Sequence, residues 1–194
     1  MLLPALLLAS FVWLAQAPTQ TDRFEFGQRL RACEAAWETQ YNAESRRSAN
    51  EHLKQAAQLF FALKLTEAAR ELDAARLDLR WPSQPSPFDR WAESLYVKPE
   101  SRLVDTAIDG LPFTLAEAYL AMTGIQPQDA RLRLTLLREK QVVSSPFETK
   151  LGTLPFNGKL LVKGLTDADY TLRSEIMLNG KLLAGSEQTL SAAS

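Results

Sequence analysis

Apolar positions recur at helical spacing between residues 22 and 80, and from about residue 101 onward they alternate. Phe26, Leu30, Cys33, Trp37 and Tyr41 are four, three, four and four residues apart, one stripe of a helix over 22–41. Asp22 is its expected N-cap, and Arg29, Arg31, Glu34 and Glu38 are assigned to the other faces. Ser48 to Leu79 reads as a helical hairpin. Ser48 with Glu51 has capping-box spacing, Leu53, Ala56, Leu59, Phe60 and Leu63 follow, and a break near Lys64-Leu65 precedes a second cap at Thr66. Ala68, Leu72, Ala75 and Leu79 then share a face, with Arg70 and Asp73 pointing away, and Trp81-Pro82 ends the helix.

Residues 81–100 hold four prolines and three serines, the composition of a connector. They also hold Trp81, Phe88, Trp91 and Tyr96, so this connector is expected to lie against a module. Beyond it, Leu111, Phe113 and Leu115 alternate, although Ala116 to Met122 also suits a short helix. Arg131 to Leu136 is a half-buried strand with its leucines inward. Tyr170, Leu172, Ser174, Ile176 and Leu178 line one face of another. Asn157-Gly158 and Asn179-Gly180 are both tight-hairpin signals, because each residue of such a turn takes positive φ.

The string AAQLFFALKLTEAARELDAARLDLRWP resembles one tetratricopeptide-type repeat over about 48–82, with Ala56, Leu59, Ala68, Leu72, Ala75 and Pro82 near the repeat's small, large and proline positions. It covers one unit, which implies a three-helix, repeat-like bundle rather than a peptide-binding array. Asp167-Ala168-Asp169-Tyr170 resembles the entry to a late strand of immunoglobulin-like sandwiches, where a tyrosine ties a corner. Turn chemistry accounts for both aspartates; calcium ligation would need more oxygens than they supply. The expected fold is α+β in two modules: a signal peptide (1–17), a helical repeat-like bundle (18–80), a Pro- and aromatic-rich connector (81–100) and an immunoglobulin-like β-sandwich (101–194).

The opening refines this picture. Leu2 to Leu14 is apolar apart from Ser10 and is followed by Ala15-Gln16-Ala17, a small-x-small cleavage pattern. A run of that length falls short of the ~20 residues a spanning helix needs, so export followed by removal is expected, with no membrane span afterwards. Pro18 makes cleavage after Ala17 less secure than export itself. The single cysteine, Cys33, provides no internal disulfide, and its place in the first apolar stripe marks it as a core residue. A formal net charge of −1 argues against nucleic acid as a partner.

Candidate chemistry is sparse. His52 is the sole histidine, so one histidine and one cysteine cannot build a zinc site, and any nucleophilic triad would have to use His52. There is no GxSxG elbow, phosphate loop or dinucleotide fingerprint. No catalytic, cofactor-binding or metal residue and no cofactor is assigned. Trp81 and Trp91 are the candidate contact surface, either as a sugar-stacking platform for polysaccharide or as anchors for the connector. The expected function is a non-catalytic exported protein, secreted or periplasmic, acting through a protein partner or an envelope component. The alternative is the N-terminal accessory region of a larger secreted hydrolase of the α/β-hydrolase type.

Overall fold

The structure, a computed structural model, describes residues 21–80, 85–121 and 129–194. The expected signal peptide (1–17) and Trp81 lie outside them. Helices α1 (Arg23–Thr39), α2 (Ala43–Phe61), α3 (Leu65–Arg80) and α4 (Pro87–Ser94) come first. They are followed by β1 (Leu95–Pro99), β2 (Leu103–Asp105), β3 (Gly110–Glu117), β4 (Ala130–Arg138) and β5 (Gln141–Val142). Strands β6 (Phe147–Lys150), β7 (Phe156–Leu161), β8 (Ala168–Leu178) and β9 (Lys181–Ala193) complete an α+β chain. Among the described residues no helix is long and apolar enough to cross a membrane.

Asp22 caps α1 as expected, accepting from the Glu25 amide at 2.8 Å. Helix α2 starts earlier than the Ser48 cap predicts. Asn42 is the cap, its Oδ1 accepting from the amides of Glu44 and Ser45 at 2.9 Å, and Ser48 lies inside the helix. Small buried Ser45, Ala49 and Ala56 carry the packed face back toward that start. In α3, Ala68, Leu72, Ala75 and Leu79 are all buried, as their spacing predicts. They meet Phe26 and Ala56 at one end of the bundle and Cys33 and Ala49 at the other.

The α1 stripe is rotated from its predicted position. Phe26 and Cys33 are buried, but Leu30 is partly exposed and Tyr41 lies beyond the helix with 84% of its surface free. Arg29, assigned to a face away from the apolar stripe, is nevertheless buried, as is Asp73 on α3. Spacing permits both outcomes for α1, because Arg29 and Leu30 flank the Phe26–Cys33 line of the helix on opposite sides. The Asp73 carboxylate on α3 selects Arg29.

The connector expected over 81–100 is regular from Pro87 onward: Pro87–Ser94 is α4 and Leu95–Pro99 is β1. Ser86-Pro87-Phe88-Asp89 is a helix start. The Ser86 side chain meets the Asp89 amide, the Asp89 carboxylate takes the Ser86 amide, and Pro87 occupies the first turn. Trp91 is consequently a core residue, 1% exposed.

Two sheets share one apolar core. One has the order β1-β3-β7, the other β2-β9-β8-β4-β5, with β6 also paired to β4. Leu95, Val97, Leu111, Phe113, Leu115 and Leu160 from the first sheet face Leu132, Leu134, Leu136, Tyr170, Leu172 and Leu190 from the second, and α4 adds Trp91 and Ala92. Pairing is antiparallel except between β2 and β9. The two Asn-Gly pairs part company. Asn179 and Gly180 have φ of 50 and 79 and form the β8–β9 turn, as predicted. Asn157 and Gly158 lie inside β7, opposite Thr114 and Phe113, so the hairpin expected there is replaced by pairing with a strand distant in sequence.

Candidate functional site

Residues on α1, α3, α4 and beyond β3 meet where the helices rest on the β-module, and the contact is ionic. Arg29 on α1 sits at the centre. Its guanidinium donates to Glu25, to Asp73 on α3 and to the Glu93 carbonyl oxygen at 2.8 Å, and lies 5.7 Å from the centre of the Tyr119 ring. The Tyr119 hydroxyl donates to Asp73 Oδ2 at 2.7 Å. Glu93 on α4, with a fully buried side chain, pairs with Arg76 and, at 2.9 Å, with Arg80. Burial, reinforced by the Asp73 charge, holds the Tyr119 phenol well above its ordinary range, so it remains a donor. Burial pulls the Arg76 guanidinium below its usual value. Asp73, Arg76 and Arg80 are three and four residues apart, a second stripe of α3 that is polar yet half-buried or buried throughout.

Asp73 and Tyr119 also form the floor of a groove of about 820 Å³. Its walls are α2 and α3, with Ser48, His52, Glu67, Arg70, Glu71 and Asp78, and Arg90 of α4 closes one side. Here the lone histidine joins the two helices of the hairpin. His52 Nδ1 is 2.7 Å from Glu71 Oε2, and Nε2 is 3.7 Å from Asp78. The Ser48 hydroxyl donates to Asp78 Oδ2 at 2.5 Å. A serine nucleophile would need its proton aimed at an imidazole nitrogen, and this one is aimed at a carboxylate. Among the described residues no group of three or more His, Cys, Asp or Glu side chains is placed to hold a metal ion. Glu44, Glu67, Glu71 and Asp78 outnumber Arg70 and Arg90 on the groove walls, which suits a cationic ligand.

The contact surface expected of Trp81 and Trp91 is not available on Trp91. Its ring is in the core and its Nε1 donates to Glu117 Oε1 at 3.1 Å, so neither face is open to a sugar; it anchors α4 to β3. Trp81 lies outside the described residues. Asp167 and Asp169 hydrogen-bond to β9 and the residue after it, accepting from the Ser194 amide at 2.9 Å and the Ser191 hydroxyl at 2.6 Å. Tyr170 ties a corner: its hydroxyl donates to the Thr166 carbonyl at 3.2 Å and accepts from the Thr166 amide at 2.9 Å.

Arg29 and Asp73 were assigned to faces away from the apolar stripes and Arg76 and Glu93 were not singled out, because charge reads as solvent exposure; Tyr119 falls in a stretch whose element the sequence left open. The available signal was the polar second stripe on α3, which has no explanation in an isolated hairpin.

No protein-family model matches the chain, and no curated protein matches it. Among solved structures, it is similar to a Bacteroides fragilis protein assigned as a beta-galactosidase, at 17% identity with a TM-score of 0.34. The match covers 50% of this chain and 16% of that one. A likeness at this level transfers neither fold nor activity.

Proposed function

We propose that this is a non-catalytic exported protein, secreted or periplasmic, that works through protein contacts and holds a cationic extended segment of its partner in the α2–α3 groove. One observation carries this reading. The groove, about 820 Å³, has ionisable walls, and its floor is fixed by the buried Arg29–Asp73–Tyr119 cluster. A site whose base cannot relax is pre-organised for binding. The Ser48–Asp78 and His52–Glu71 hydrogen bonds hold the wall residues to each other.

For the β-module we propose an immunoglobulin-like sandwich. Support comes from the sheet orders β1-β3-β7 and β2-β9-β8-β4, from the shared core, and from the Tyr170 corner at the start of the next-to-last strand. Such a module presents the helical groove on a rigid base.

The test is fluorescence anisotropy with two labelled decapeptides, one lysine-rich and one glutamate-rich. The lysine-rich peptide should bind, salt should weaken it, and Glu44→Lys with Glu67→Lys should reduce affinity at least about tenfold by reversing the wall charge. Equal binding of both peptides, or indifference to the double variant, would overturn the reading.

A further inference from the structure

We propose that Asn179, at the tip of the β8–β9 hairpin, is a modification site of the folded protein, where asparagine converts to isoaspartate and aspartate. The chain carries the same five residues twice, Asn-Gly-Lys-Leu-Leu at 157–161 and again at 179–183. Asparagine followed by glycine is chemically labile, because glycine lacks the Cβ that would crowd the attacking amide nitrogen. The repeated string gives both asparagines one intrinsic reactivity. A difference between them in the native protein therefore belongs to the fold.

The only co-reactant is water. The Gly180 amide nitrogen attacks the Asn179 side-chain carbon: a new C–N bond forms, the bond from that carbon to its NH2 group breaks, and ammonia leaves with the amide proton. The five-membered succinimide then takes up water at one of its two carbonyls. Opening of the side-chain bond gives aspartate, and opening of the main-chain bond gives isoaspartate. The isoaspartyl form runs the main chain through the side-chain carbon, which adds one atom to the backbone of the turn. Both products add one negative charge to a chain whose formal net charge is −1.

The attack requires the Asn-Gly peptide to swing toward the asparagine side chain, and the two sites differ in their freedom to do so. Leu178 pairs with Lys181, which leaves Asn179 and Gly180 outside the ladder, both exposed, with φ of 50 and 79. A hairpin tip opens without disturbing the core beneath it. Asn157 and Gly158 instead lie inside β7, in register with Thr114 and Phe113 of β3 and with further pairs on either side of them. The Thr114 hydroxyl donates to Asn157 Oδ1 at 2.8 Å, which ties that side-chain amide to β3. Forming the succinimide there means parting β7 from β3. Neither Asn179 nor Gly180 lines the acidic groove, so this site stands apart from peptide binding.

The experiment ages the full 194-residue chain, folded, in warm and mildly alkaline buffer. Mass spectrometry follows both sites, because trypsin releases them in separate peptides ending at Lys159 and Lys181. Asn179 should convert at least about tenfold faster than Asn157, with isoaspartate read by labelling with an isoaspartyl methyltransferase. The aged protein should comigrate with an Asn179→Asp variant on isoelectric focusing. In urea, where no ladder protects Asn157, the two rates should become equal. Equal rates in the folded chain, a faster Asn157, or a native Asn179 that stays intact while the unfolded chain converts would overturn the proposal. So would a rate difference that persists in urea, which would place its cause in the flanking sequence and not in the fold.

Discussion

Cys33 sits between α1, α2 and α3 at 2% exposure, and burial pushes its thiol from 9.0 up to about 11. Because the folded value is the higher one, this contribution to stability is complete below about 9 and disappears as pH rises through about 11. Cys33→Ala should therefore close the stability gap to wild type between those limits, by at most ~2–3 kcal/mol, in urea titrations at each pH. A thiol reagent near pH ~8 should leave the native protein unmodified and react only on unfolding. Leu63 is the opposite case, a side chain without support. Leu63→Gly should raise stability by ~1 kcal/mol through relief of its left-handed backbone, read as a higher melting temperature.

Among the elements, the two Asn-Gly pairs show how one dipeptide takes two conformations. At 179–180 the flanking strands pair with each other, and the dipeptide becomes a turn. At 157–158 β7 pairs with β3 instead, and Gly158 serves to admit the Phe113 ring, whose Cζ would be 2.5 Å from an added Cβ. Gly158→Ala should thus destabilise the protein by ~1–3 kcal/mol through overpacking, although the backbone angle suits any residue; thermal melts would show the loss. Helix α4 teaches a related lesson. Ser-Pro-Phe-Asp signals a helix start as well as a loop, and the buried Trp91 that follows decides between them.

For the whole molecule, the decisive feature is the ionic seam between the helices and the β-module. Glu93 brings a fully buried carboxylate from α4 to two arginines of α3. A buried ion pair adds little net stability against an apolar substitute, yet removing one partner leaves an uncompensated charge. Arg76→Ala should cost ~3–5 kcal/mol and give two resolved unfolding steps where the unsubstituted chain is expected to give one, because Glu93 is left under-neutralised where the helices meet the β-module. A single sharp transition at unchanged midpoint would show that apolar contacts alone hold the modules together. The groove rests on the same seam through Asp73, so Arg76→Ala should also weaken lysine-rich peptide binding.

The chain's local patterns determined the α+β character, the apolar face of α3, the Asp22 cap, the leucine face of β4, the Tyr170 face of β8 and the turn at Asn179-Gly180. Each depends on neighbours close in sequence, where spacing dictates which side chains share a face. Tertiary structure alone decided that α1 turns Arg29 inward in place of Leu30, that Asp73 is buried, that Trp91 is core and that Asn157-Gly158 is strand. In each of these, two local outcomes are close in free energy, and a partner distant along the chain selects between them: Asp73 for Arg29, the inter-sheet core for Trp91, and β3 for β7. Charge was the least legible feature, because a buried charge is tolerable only beside its counter-charge, and that counter-charge lies on another element.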